Sequence, residues 1–198
     1  MFAEANLKGA RTRDIARAAG VNQATVFEHF ASKEDLFRAA VVEPLIAALQ
    51  GRWDRMGLYE TAQGPDDLAG LALDSAQQHV AGAIETFPLL AAALFSEPEL
   101  GRALYREHIA PLIRRRGQVL DSVAREGLDR DFIGLANFGM LMAIGLDRHL
   151  GEHPEAPDVD HLARQFTRMA TGGFAKGTAG AAIEHRIEGE EAIHGDPT

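Results

Sequence analysis

The stretch from Thr12 to Phe30, TRDIARAAGVNQATVFEHF, constrains the fold of this chain more than any other. Ile15, Ala16 and Ala19 fall on one side of a first short helix, and Val26 and Phe30 on one side of a second. Ala16 is small enough to let the second helix pack closely. Gly20 stands where the chain must reverse, a place that favours positive φ, and Val21 is positioned to plug the space between the helices. Asn22 supplies a side-chain oxygen for the first unbonded amides of the second helix. Gln23, Ala24, Thr25, Phe27, Glu28 and His29 are left facing outward. Two short helices joined by a tight glycine turn are a helix-turn-helix, a unit that presents its second helix to a DNA major groove.

The rest of the chain also reads as helix, so an all-α fold is predicted. Helices are expected at about 12–19, 23–30, 33–50, 67–86, 131–150 and 158–176, with a long one from near Pro98 to about Gly127. Ser32 with Asp35, and Ser96 with Glu99, read as capping boxes. Pro44 should kink the third helix, Pro88 should start a separate apolar segment from Leu89 to Phe95, and Pro111 should bend or break the long helix. The domain reading is a helix-turn-helix domain over 1–43, a larger helical domain over 44–178, and a Gly-rich, acidic tail over 179–198 that is expected to be flexible.

The net charge of −9 is unevenly spread. Residues 1–40 hold six basic and five acidic groups, leaving 14 basic and 24 acidic groups for the remainder. An acidic body is repelled by phosphates, so DNA contact has to come from the N-terminal end. With no cysteine there is no disulfide, thiolate nucleophile or Cys-based zinc site. No apolar run approaches the ~20 residues of a membrane span and no signal-type start is present, so a cytoplasmic protein is expected. No nucleophile–base pair, phosphate loop or metal cluster stands out, which argues against an enzyme and against a cofactor. His149 and His153 share a metal only if a helix continues through Gly151, which is not expected. Arg114, Arg115 and Arg116 face three directions on a helix and read as a solvated cluster.

Four blocks carry a family resemblance: Phe2-Ala3-Glu4, Arg13-Asp14-Ile15-Ala16, Ala19-Gly20-Val21, and His29-Phe30-Ala31-Ser32-Lys33-Glu34-Asp35-Leu36-Phe37. Together they resemble the DNA-binding domain of the TetR family of transcriptional repressors. The resemblance implies that Gln23, Ala24, Thr25 and His29 face DNA and that Lys33 holds a phosphate; the bland alternative for Lys33 is a solvated lysine. Arg11, Thr12, Arg13, Asn22, Phe27 and Glu28 complete the expected DNA-facing set. Several positions depart from the pattern. Asn6 replaces a usual glycine, and Arg11 replaces a usual threonine cap, leaving Thr12 to cap one residue late and Arg11 to reach a phosphate. Phe27 replaces a tyrosine and so lacks its hydroxyl. Glu28 puts a negative charge on the outer side, either reading a cytosine amino group or simply solvated. The chain begins inside the family's first helix, so a truncated first helix is expected.

Beyond residue 40 the resemblance is to the family's general plan, helices enclosing a ligand cavity with the last two pairing across a dimer. Apolar stripes fit that plan: Phe132, Leu135, Phe138, Met142 and Leu146, then Val159, Leu162, Phe166 and Met169. Gly139 and Gly145 permit close helix approach. Candidate ligand-binding residues are Trp53, Met56, His79, Phe87, Phe95, Tyr105, His108 and Met142, although for each one singly a place in the core is the stronger reading. The expected function is a homodimeric DNA-binding repressor whose affinity for a palindromic, double-stranded operator is changed by a small-molecule effector. The alternative is a constitutive DNA binder with a filled core.

Overall fold

A computed structural model describes residues 2–57, 61–121, 124, 127–174 and 185. Among them lie the helices α1 (Phe2–Gly9), α2 (Thr12–Ala18), α3 (Gln23–His29), α4 (Lys33–Phe37), α5 (Glu43–Met56), α6 (Pro65–Ser96), α7 (Pro98–Leu104), α8 (Ala110–Asp121), α9 (Arg130–Leu150) and α10 (Val159–Phe174). The expected tail over 179–198 lies outside the described residues apart from His185. The chain forms two compact units. One is Met1–Gln50 with Thr86–Pro111; the other is Gly51–Glu85 with the described residues from Leu112 onward.

In the first unit, short helices end where local bonds stop them. Arg11 takes the N-cap position of α2 without a side-chain bond, and its carbonyl accepts from the amides of Asp14 and Ile15. Thr12 is therefore already helical and does not cap, contrary to the sequence expectation. Gly20 adopts φ 71°, and the Val21 amide bonds back to the Ala16 carbonyl at 3.0 Å. Ala16, Val26, Leu7, Leu36 and Phe37 are buried, whereas Ala19 and Val21 are both exposed, contrary to the expectation that they fill the space between the helices. Phe2 meets Phe37 edge-on, ring centroids 5.1 Å apart, so α1 closes over the start of α4.

Two prolines are accommodated by the same device. The helix from Lys33 to Met56 widens into a π turn over Arg38–Val42, where the Glu43 amide reaches the Arg38 carbonyl. The helix from Pro98 to Asp121 widens likewise over Tyr105–Ile109, where the Ala110 amide reaches the Tyr105 carbonyl. Pro44 and Pro111 each stand two residues beyond such a turn. A proline offers no amide to the carbonyl four residues back and its ring crowds that carbonyl; a wider turn relieves both. The expected kink and break are thus a local change of helix type.

Pro88 does not divide its segment either. It lies inside α6, a single 32-residue helix. Phe87, Leu90, Ala92 and Ala93 are buried around it, and their packing offsets the ~3 kcal/mol that an interior proline costs. The expected capping box at Ser96 is also absent. Ser96 Oγ donates to the Ala92 carbonyl and accepts the Leu7 amide at 3.2 Å, while Glu97 is the uncapped N-cap of α7. The sequence reading saw no apolar run long enough for a membrane, yet Ala69–Ser96 is long and apolar enough to cross one. Half of its most apolar window is buried within the protein.

The second unit is organised by a close helix crossing. A methyl group on Gly117 of α8 would run into the Arg130 carbonyl, and one on Gly134 of α9 into the Ile113 carbonyl. These two glycines set a close approach inside the chain, whereas Gly139 faces open space. Ala76 and Val80 of α6 pack with Ala163 and Phe166 of α10 against Met140 and Leu141 of α9. Leu120 and Ile133 form a neighbouring cluster with Ala170.

Candidate DNA-binding interface

The second helix of the helix-turn-helix is held by its first residue's neighbour. Asn22 Oδ1 accepts from the Thr25 amide at 2.8 Å and from the Thr25 hydroxyl at 3.2 Å. This satisfies one free amide of α3 and fixes the Thr25 rotamer, so Asn22 and Thr25 act first on each other. Gln23, Ala24, Glu28 and His29 are exposed along α3, and Phe27 is 44% exposed. An aromatic ring left so open on a seven-residue helix offers apolar surface to a thymine methyl or a sugar.

Ser32 starts α4 by accepting the Asp35 amide at 3.0 Å, while its hydroxyl donates to Asp35 Oδ2 at 2.7 Å. Lys33 follows at once. Its Nζ donates to the Lys8 carbonyl at 3.3 Å, a bond that ties α4 to the end of α1 and that sequence reasoning did not anticipate. Lys8 in turn pairs with Glu97 at 3.4 Å, and Arg17 with Asp14 at 2.7 Å. Arg11, Arg13 and Arg38 are exposed and make no ion pair among the described residues. Arg11 and Arg13 therefore keep their positive charge exposed at the start of α2.

The eight residues expected to line a ligand cavity divide between the units. Phe87, Phe95, Tyr105 and His108 belong to the first; Trp53, Met56, His79 and Met142 belong to the second. Phe95 is 80% exposed and Tyr105 is also exposed, so neither lines an enclosed space in the single chain. Met56, His79 and Phe87 are buried.

In the second unit, two of the three consecutive arginines expected to be solvated are instead engaged. Arg115 stacks over the Trp53 ring at 4.5 Å and donates to the Trp53 carbonyl at 3.0 Å. Arg116 Nε donates to Asn137 Oδ1 at 3.3 Å. Arg52 is buried with its guanidinium against Gly82, where an added methyl would sit 3.0 Å from Nη2. Burial, then Arg116, Arg52 and Arg55, push the His79 pKa from 6.5 down to about 3, a weak pull from the Ser75 backbone opposing. Burial and Arg55 likewise lower Arg52 to about 10, against the pull of Glu85. Only Arg114 of the three consecutive arginines is fully exposed.

His149 and His153 do not share a helix, because α9 ends at Leu150 and Gly151 takes the C-cap position. His153 Nε2 instead meets Asp147 Oδ2 at 2.9 Å.

Residues 1–40 match the sequence model of bacterial regulatory proteins of the TetR family. The fold of the chain is shared with solved structures at low identity. KstR2 of Mycobacterium tuberculosis, a ketosteroid transcriptional regulator, is 20% identical over 89% of this chain and 90% of its own, with a TM-score of 0.60. A candidate fatty acid metabolism regulator of Clostridium perfringens is 18% identical over 89% and 95%, with a TM-score of 0.66. A candidate TetR-family regulator of Mesorhizobium loti is 21% identical over 88% and 91%, with a TM-score of 0.63. No curated protein matches the sequence. The N-terminal helix-turn-helix domain is thus of the TetR type, and the chain as a whole shares the fold of these solved regulators.

Proposed function

We propose that the chain is a repressor that binds a palindromic operator as a homodimer and changes its affinity for DNA when a small molecule occupies the second unit. The observation that carries the dimer is the outer face of α9. Phe132, Leu135, Gly139, Ala143, Leu146 and Leu150 recur at helical spacing and are all exposed, and Met169 of α10 is exposed as well. An apolar stripe about 27 Å long by helical rise is unusual on a monomer, and a second copy is the partner that covers it. Gly139 and Ala143 leave its middle shallow, so a partner helix approaches closely there. Twofold pairing also supplies two recognition helices for two half-sites. The effector reading rests on the buried polar residues that converge on His79, and a cytoplasmic location follows from the DNA partner.

The tests are sedimentation of the full chain and gel shifts on its own upstream DNA, with and without a compound library. Leu146→Glu should give a folded monomer that binds DNA at least tenfold more weakly. Failure to bind upstream DNA at low salt overturns the regulator reading for this chain. A library with no member that changes DNA affinity overturns the effector reading and favours a constitutive binder.

A further inference from the structure

Four helices each send one polar group into the interior of the second unit. Arg52 comes from α5, His79 from α6, Arg116 from α8 and Asn137 from α9. Arg52 is 8% exposed, His79 6% and Asn137 2%. Because Arg116 Nε donates to Asn137 Oδ1, the orientation of that amide is fixed and its Nδ2 points elsewhere. Nδ2 has no hydrogen-bond partner, and neither has Nδ1 of His79, although both atoms are sealed from solvent. A native interior rarely leaves two such nitrogens unanswered, and doing so costs stability. The charged groups that act most strongly on His79 are three arginines. Glycine at position 82 gives the Arg52 guanidinium room to lie against α6.

We infer that this cluster is a recognition subsite for one anionic group, a carboxylate or a phosphate monoester, with Arg52 and Arg116 as the cations and Asn137 Nδ2 as the neutral donor. It deepens the effector reading and rests on it. The planar guanidinium of each arginine suits two-oxygen acceptors, and the low local dielectric strengthens the attraction. A neutral apolar effector would leave Asn137 Nδ2 as it stands, without a partner. An anion gives that nitrogen an acceptor and adds negative charge beside the arginines.

The experiment measures the melting temperature of the full chain at constant ionic strength with hexanoate, hexyl phosphate or hexanamide. The six-carbon tail is the same in all three, so only the head group differs. One or both anions should raise Tm by at least ~4 °C while hexanamide does not, and the stronger of the two identifies the head group. Asn137→Asp places a carboxylate inside the cluster; it should raise the Tm of the ligand-free protein by roughly 2–4 °C and abolish the response to added anion. Should that variant not fold, Arg116→Met serves the same comparison by losing the response. An equal response to hexanamide that survives Asn137→Asp overturns the anion subsite and leaves the effector reading standing. No response to any of the three overturns the subsite, and the gel-shift library then decides separately whether any effector exists.

Discussion

Gly117 and Gly134 face each other where α8 crosses α9, each so near the other helix's backbone that neither has room for a methyl group. Backbone cannot step aside as a flexible side chain does. Gly134→Ala should therefore destabilise the protein by about 3 kcal/mol, although alanine is the better helix former by about 1 kcal/mol. Urea unfolding checks this, and a neutral or stabilised variant would show that the crossing relaxes freely.

The recognition helix depends on one side-chain cap. Asn22→Ala removes the acceptor for both the Thr25 amide and the Thr25 hydroxyl, and should cost about 1 kcal/mol of stability. Operator affinity should fall further than stability does, because Thr25 loses its fixed rotamer. Calorimetric melting compared with gel-shift titration separates the two effects.

Arg11 and Arg13 should act on phosphate without reading sequence. Replacing either by alanine should weaken specific and non-specific binding alike and reduce the slope of log K against log salt by about 0.9. Arg17→Ala should change that slope less, since its guanidinium is already paired with Asp14. Fluorescence anisotropy over a salt series reads the three slopes directly.

Acid should destabilise the fold through His79. In the folded protein its pKa is about 3, against 6.5 for an unperturbed histidine, so between those values the unfolded chain binds the extra proton. The stability is intact above pH 6.5 and is lost as pH falls toward 3, by about 1.4 kcal/mol per pH unit. At pH 5 the loss is about 2 kcal/mol. His79→Leu should remove roughly one proton from the acid-limb uptake, measurable by urea unfolding at several pH values.

What could be read from the sequence was what bonds within four residues decide. The Asn22 cap, the positive φ of Gly20 and the Ser32–Asp35 pair are local, and all three are present. Features set by distant chain were missed. Ser96 resembled a cap, but its second partner is the Leu7 amide, 89 residues away. Arg115 and Arg116 looked solvated because nothing in their own turn shows that Trp53 and Asn137 will cover them. The close crossing at Gly117 and Gly134 went unread, because nothing near either glycine in sequence shows which backbone will meet it. Pro88 looked like a stop because only the surrounding burial shows that α6 survives it.

The wide turns before Pro44 and Pro111 also say how these helices tolerate changes of length. A π turn holds one residue more than the α-helix around it, so it stores a single-residue insertion without breaking the rod. Because the wide turn absorbs its extra residue, deleting one residue within Arg38–Val42 would restore ordinary winding and leave the later side chains in phase with Leu36 and Phe37. Leu45 and Leu49 would stay on the side that buries them. The extra residue thus changes no phase downstream; it opens the turn that each proline ring would otherwise crowd.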